Sequence, residues 1–235
     1  MIFITGDTHG DLRRFSKDAF YEQREMTKDD YAIILGDFGL VWDYKGESRY
    51  EKNWLDWLES KSFTTLFIDG NHENFDVLKS YEPDEYGIVN ISPHIHYIPR
   101  GTGLFIQTDA GIRSMLCCGG ADSIDKFHRT PHISWWADEA ITQEDIDKCL
   151  EHKKDIKKVD YIITHCCPYS IFNKYTVYLI TLTGVDQRTV DHTSELMLDK
   201  LAMNIDCNKH FFGHYHVDKQ LDDKYTCLLN DFIEL

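Results

Sequence analysis

The 235-residue sequence contains no apolar run approaching the roughly 18 residues of a membrane span, so no segment reads as a transmembrane helix. It also lacks a basic excess. Against 40 Asp and Glu there are 25 Lys and Arg, and the formal net charge of −15 disfavours non-specific binding to nucleic acid or an anionic bilayer, both of which select basic surfaces. No basic leader followed by an apolar core precedes Asp7, and the expectation is a soluble, cytoplasmic protein. Cys-x-x-Cys spacing is missing. The seven cysteines fall as adjacent pairs (Cys117 with Cys118, Cys166 with Cys167) and singletons (Cys149, Cys207, Cys227), which reads as reduced, mostly buried thiols rather than a disulfide framework. With no fixed-period repeat, low-complexity tract or Pro/Gly/Ser linker, one domain over residues 1–235 is expected.

What the chain does have is five short segments that end in metal-binding side chains: Asp7 and His9; Asp37; Asn71 and His72; His165; His214 and His216. An apolar, β-rich run precedes each: IFIT, AIIL, TLFI, YIIT and HFF. Each run reads as a buried strand delivering its polar residues from the carboxyl end, the edge of an open α/β sheet where loops converge on rigid supports. Singly, these residues have ordinary explanations: Asp7 as a helix cap, Asn71 as a turn residue, His165 as a core histidine. Their joint order does not, and it points to a site with two metals.

The donor chemistry agrees. A bridging carboxylate, for which Asp37 is the candidate, holds two divalent ions about 3.5–4 Å apart, and such a pair acidifies a shared water and clamps the attacking and leaving oxygens at phosphorus. Carboxylate, amide and imidazole together suit manganese, iron, zinc or a similar first-row ion better than calcium or a thiolate-bound metal.

The motifs GDTHG, GDFG, GNHE, the TH of ITHCCP, and GHYH resemble, in type and order, those of the calcineurin-like metallophosphoesterases, over residues 6 to 216. The resemblance implies a four-layer α/β/β/α sandwich of two mixed sheets. It also implies that Asp7, His9 and His216 hold one metal, that Asn71, His165 and His214 hold the other, and that Asp37 bridges them. His72 would lie beside the substrate phosphate as general acid. Many relatives continue their second motif toward Asp and Arg; here it runs GDFGLVWD, leaving Asp43 or Asp76 as stand-in partners for His72. The likeness is better to bacterial and phage-type members, through GDFGLVW, GNHENFD and GGADSIDKFHRTPHISWW.

The expected activity is hydrolysis of a phosphomonoester or phosphodiester by in-line attack of a metal-bridging hydroxide, on a small phosphorylated substrate of which a nucleotide is one candidate. A nuclease on the same core and a non-catalytic scaffold are the alternatives. The acidic balance counts against the first, and the complete ligand set against the second. Residues 119–139 form a candidate substrate wall, in which Lys126 and Arg129 would grip phosphate with Asn71 and His72, and Trp135 and Trp136 would stack on a ring. The competing explanation places the tryptophans in a packing gap and the cations in ion pairs. A Tyr-rich loop with Tyr169, Tyr175 and Tyr178 is a weaker second candidate.

Outside the motifs, Asp11 to Met26 reads as mainly helical, and Ser48 to Ser60 as an amphipathic helix with Trp54, Leu55 and Leu58 on one face. Strands GLFIQT and IRSMLCC should pair antiparallel around Asp109-Ala110-Gly111. Helices are expected over Thr142 to Lys154, with Thr142 as N-cap, and over Val190 to Met203. LLNDFIEL should close the chain as a strand or hairpin.

Overall fold

The computed structural model describes residues 1–151, 158–179 and 191–235. The first half of the chain holds β1 (Ile2–Thr5), β2 (Tyr31–Ile34), α1 (Arg49–Glu59), β3 (Thr64–Phe67), α2 (Phe75–Leu78), β4 (Val89–Ser92), β5 (Ile95–Tyr97), β6 (Thr102–Thr108) and β7 (Gly111–Cys118). The second half holds α3 (Gln143–Glu151), β8 (Lys158–Thr164), α4 (Tyr169–Leu179), α5 (Thr193–Asn204), β9 (Asp206–Phe212), β10 (Lys219–Gln220), β11 (Tyr225–Cys227) and β12 (Ile233–Glu234).

These strands form two six-stranded mixed sheets, ordered β12-β1-β2-β3-β5-β4 and β10-β11-β9-β8-β7-β6. Each has four parallel strands in the middle and an antiparallel strand at either edge. The strand sequences explain why the sheets stack. Side chains alternate between faces, yet both faces of the central strands are apolar, so each sheet needs a cover on both sides. Ile2, Ile4, Ile33, Leu35, Leu66 and Ile68 of one sheet meet Met115, Cys117, Ile163 and Phe211 of the other in the middle layer. The alternate residues Phe3, Ala32, Ile34 and Phe67 face outward to Leu55 and Leu58 of α1. On the far side Leu116, Ile162 and Phe212 face Ile146 of α3 and Leu198 and Leu201 of α5. The result is the expected α/β/β/α order. Each fully buried aliphatic side chain contributes about 1.5–3 kcal/mol, and register rows such as Ile4↔Ile33 and Ile33↔Leu66 fix which face each residue takes.

Helix α1 starts with a capping box: the Ser48 hydroxyl accepts from the Glu51 amide, and the Glu51 carboxylate accepts from the Ser48 amide at 2.7 Å. Glu51 also accepts from the amides of Trp42 (2.7 Å) and Asp43 (2.9 Å), tying this helix to the loop after β2. Thr142 caps α3 through Asp145, as its sequence predicts, and the expected end at Lys154 lies outside the described residues. Likewise α5 covers the described part of the helix expected from Val190. The β6–β7 pair forms as expected. The tail divides between the sheets, β11 joining β9 and β12 crossing to pair with β1.

Two local expectations are corrected. Asp11 to Met26 contains two 3-10 turns, at Arg13–Phe15 and Glu22–Arg24, instead of a helix. Its apolar residues Leu12, Phe15, Phe20 and Met26 all reach the outer cluster, and the Gln23 amide claims the carbonyls of Phe15, Ser16 and Phe20, so tertiary packing overrides helix propensity. The stretch with Tyr169, Tyr175 and Tyr178 is helix α4 rather than a loop, because Ile171, Phe172 and Leu179 turn inward at near-helical spacing. All seven cysteines are free and buried. Among the described residues no helix is long and apolar enough to cross a membrane.

Candidate metal centre

The carboxyl ends of β1, β2, β3, β8 and β9 meet at one edge of the sandwich, and the loops leaving them bring Asp7, His9, Asp37, Asn71, His72, His165, His214 and His216 together. Asp7, His9, Asp37 and His216 each offer a ligand atom within 4.8 Å of one another. His216 Nε2 lies 2.9 Å from His9 Nε2 and 3.3 Å from the Asp7 carboxylate. On the buried side, His165 Nε2 lies 3.4 Å from Asp37 Oδ1 and 3.2 Å from Asn71 Oδ1. The rings of His165 and His214 stand 5.1 Å apart, edge to face.

Backbone geometry is committed to this arrangement. Among the described residues, five non-glycine residues have positive φ, and four of them are His9 (46°), Asp37 (46°), His214 (65°) and His216 (53°). A left-handed conformation costs about 1–3 kcal/mol at a non-glycine residue and persists only where neighbours enforce it. Here they do. The amides of Thr8 and His9 donate to the Asp37 carbonyl, the His72 amide donates to Asp37 Oδ1 (2.8 Å), and the His214 amide donates to Asp7 (3.0 Å). Glycine is required where the carboxylates pass closest: a Cβ at Gly70 would collide with the Asp37 carboxylate, and one at Gly213 with that of Asp7.

The charges fit a cation. Asp7 and Asp37 are each 1% exposed, and among the described residues neither carboxylate has a Lys or Arg nitrogen within 4 Å, only histidines. Buried anions without a permanent counter-charge are costly. The demand shows in His165: burial opposes its charge, yet Asp37 and Asp7 outweigh burial and push its pKa up to about 10. His214, desolvated and beside His165, is pushed down to about 3. His165 Nδ1 donates to the Leu35 carbonyl at 2.7 Å, which leaves Nε2 as the ligand atom facing Asp37 and Asn71.

His72 does not pair with Asp43 or Asp76. Its Nε2 accepts from Arg129 Nη2 at 2.8 Å, while Asp76 receives His132 (2.9 Å) and the Trp136 indole N–H (2.8 Å). Burial, with Arg129 adding to it, holds the His72 pKa below the ordinary value. Arg129 is itself paired with Asp125 at 2.8 Å. Of the other residues of the expected wall, Lys126 is 2.8 Å from Asp191, the Trp135 indole donates to Glu139, and Trp136 is 1% exposed against Trp42. Trp136 thus fills a packing gap, and its ring has no face free for a ligand.

Several supporting residues were not singled out from sequence. Glu73, the last residue of GNHE, is fully buried and accepts from the amides of Phe38 (2.7 Å) and Gly39 (3.2 Å); burial, reinforced by Asp37, raises its pKa well above the carboxylate range. Arg14 donates to the Asp7 carbonyl at 2.7 Å and to the Leu229 carbonyl. Trp42 lies 5.7 Å from the His72 ring. Ser123 accepts from the Asn71 amide at 3.0 Å and donates to Glu139. Glu73, Trp42 and Ser123 stood inside motifs quoted above, and Glu139 ends the expected substrate wall, but none of them was assigned a role; Arg14 carries no local signal.

Two mixed sheets stacked face to face, with Asp, His and Asn gathered at their shared strand-end edge, define the metallophosphoesterase sandwich. The family model for the calcineurin-like phosphoesterases matches residues 1–218, and the chain belongs to that family. Comparison with curated proteins gave no significant match.

Proposed function

We propose that the protein is a dinuclear metal-dependent phosphoesterase acting on a small phosphorylated substrate. The observation that carries this reading is the pair of buried carboxylates, Asp7 and Asp37, which among the described residues have histidines and no Lys or Arg as ion-pair partners, with the Asn71 carbonyl oxygen 3.2 Å from His165. Asp7, His9 and His216 would hold one ion, Asn71, His165 and His214 the other, with Asp37 shared. Such ions, when bound, acidify water and offset charge on a phosphoryl group.

The chain's own residues supply the rest. Arg129 and His72 stand together beside Asn71, so an incoming phosphate meets a guanidinium and an imidazole. A guanidinium keeps its protons, so in the substrate-free arrangement His72 Nε2 is an acceptor. When Arg129 turns to a phosphate oxygen, that nitrogen is freed to take up a proton from solvent before the chemical step. Water attack at phosphorus breaks the bond to the leaving oxygen, which takes the proton from His72. Trp42 flanks His72 and excludes water from that side.

A small substrate is favoured over a polynucleotide because Lys126 and Arg129, the cations of residues 119–139, are each engaged with an aspartate and provide no continuous basic track. The test is hydrolysis of a panel of phosphomonoesters, cyclic nucleotides, dinucleotides and single-stranded nucleic acid by metal-stripped protein given Mn, Zn or Mg. Turnover of one small-molecule class, abolished by chelation, is expected. Preference for single-stranded nucleic acid would replace this reading with a nuclease, and no turnover of any class would remove catalysis.

A further inference from the structure

An asparagine side chain has one end that binds a cation, the carbonyl oxygen, and one that cannot, the NH2 group. We infer that Ser123 and Glu139 are positioning residues that decide which end of Asn71 faces the metal centre, a role that rests on the reading of Asn71 as a ligand. Asn71 Nδ2 donates to Ser123 Oγ at 3.0 Å, while Asn71 Oδ1 lies 3.2 Å from His165 Nε2. Ser123 in turn sends its hydroxyl proton to Glu139 Oε2 (3.0 Å) and its amide proton to Oε1 (2.9 Å), and Oε1 also accepts from the Trp135 indole (2.8 Å). Ser123 and Glu139 are both 2% exposed, so water does not compete for these bonds.

Burial raises the Glu139 pKa to about 7, and above that pH its carboxylate only accepts. The chain of hydrogen bonds therefore runs one way, from the Asn71 NH2 through Ser123 to Glu139, and leaves Oδ1 for the ion.

Glu139 is referenced to the same strand end as the ligand it orients. Arg100 donates to the carbonyls of Asp138 (2.9 Å), Glu139 (3.0 Å) and Ala140 (2.8 Å), and to Asp69 Oδ2 at 2.6 and 2.8 Å. Asp69 follows β3 by two residues and precedes Asn71 by two. Residues 119–139, expected from sequence to form a substrate wall, thus hold an outer support for the metal site.

Glu139→Gln isolates this polarity with little change of shape. Its side-chain oxygen still accepts at the Oε1 position, while its NH2 takes the Oε2 position and donates to Ser123. The serine proton then turns toward Asn71, which pairs through Oδ1 and presents NH2 to the ion. The experiment is calorimetric titration of Mn2+ into metal-stripped protein at pH 8, with circular dichroism melts to verify folding. Glu139→Gln is expected to weaken one of two Mn2+ sites by about tenfold or more, as outer-shell losses do, leaving the other close to wild type. In an Asn71→Asp background, where both side-chain ends are oxygen, Glu139→Gln should cause no further loss. Unchanged Mn2+ affinity in Glu139→Gln, or an equal loss in both backgrounds, would overturn the positioning role while leaving the metal reading intact. A folded wild-type protein that binds no Mn2+ would remove both.

Discussion

The two halves of the centre are built differently. His9 and His216 keep 35% and 46% of their side chains exposed and are positioned chiefly by a left-handed backbone. His165 and Asn71, by contrast, are 0% and 6% exposed and are held through their side chains, by the Leu35 carbonyl and by Ser123. The difference teaches that one half is shaped by the fold before any ion arrives, while the other has room to adjust. On the proposed dinuclear reading, an ion on the buried side should bind more tightly and exchange more slowly.

The strongest way to break this contrast is at Asp37, the residue both halves would share. Asp37→Asn should lower kcat at least as much as loss of a general acid, about 10²–10⁴-fold, and His72→Ala should fall within that range with Mn2+ binding retained. Steady-state kinetics on the active substrate checks both, and near-normal turnover in either variant would remove the role assigned to it. Next, the halves can be separated. His165→Ala should lose affinity for one Mn2+ by more than about 100-fold, whereas His9→Ala should lose about tenfold or less, measured by competition with a fluorescent chelator. Equal losses would mean that burial does not distinguish the sites.

Stability offers a third comparison. With free Mn2+ about 100-fold above its Kd, each ion should add about 2.7 kcal/mol, or roughly 5–10 °C in Tm for a chain this size. Graded chelation should therefore give two melting shifts, the exposed ion leaving first; a single step would deny the asymmetry. The smallest effect uses a buried histidine away from the centre. Desolvation, helped by Lys224, pushes His210 down to about 3. The folded protein thus refuses a proton that the unfolded chain accepts below about pH 6.5, so this stability is complete above that pH and falls by up to about 1.4 kcal/mol per unit on acidification. Urea unfolding at pH 7.5 and 5.0 should show a smaller loss in His210→Gln than in the wild type.

How much of this was legible in the sequence follows from where each signal lies. The strand runs IFIT, AIIL and YIIT, apolar on both faces, declared a doubly covered sheet, and the ligands trailing them declared the edge. Asp11 to Met26 misled because its apolar residues have a helical density but answer to a curved outer cluster and to Gln23. Trp136 looked like part of a ligand platform because sequence cannot say which way a ring turns; Asp76, 60 positions away, holds its indole N–H, and the ring is buried. The roles proposed for Ser123 and Glu139, and the contacts of Arg14, could not be read for the same reason: they lie in partners that only the folded chain brings near.

The left-handed backbone at His9, Asp37, His214 and His216 carries one further consequence. Glycine adopts that conformation without penalty, so exchanging one of these proposed ligands for glycine would relieve tension at the moment it gave up the proposed metal contact. Durability and chemistry pull in opposite directions at these four positions. If the proposed hydrolysis ceased to be required, a descendant would drift downhill by shedding these four side chains first and its architecture last, ending as a sturdier and silent sandwich.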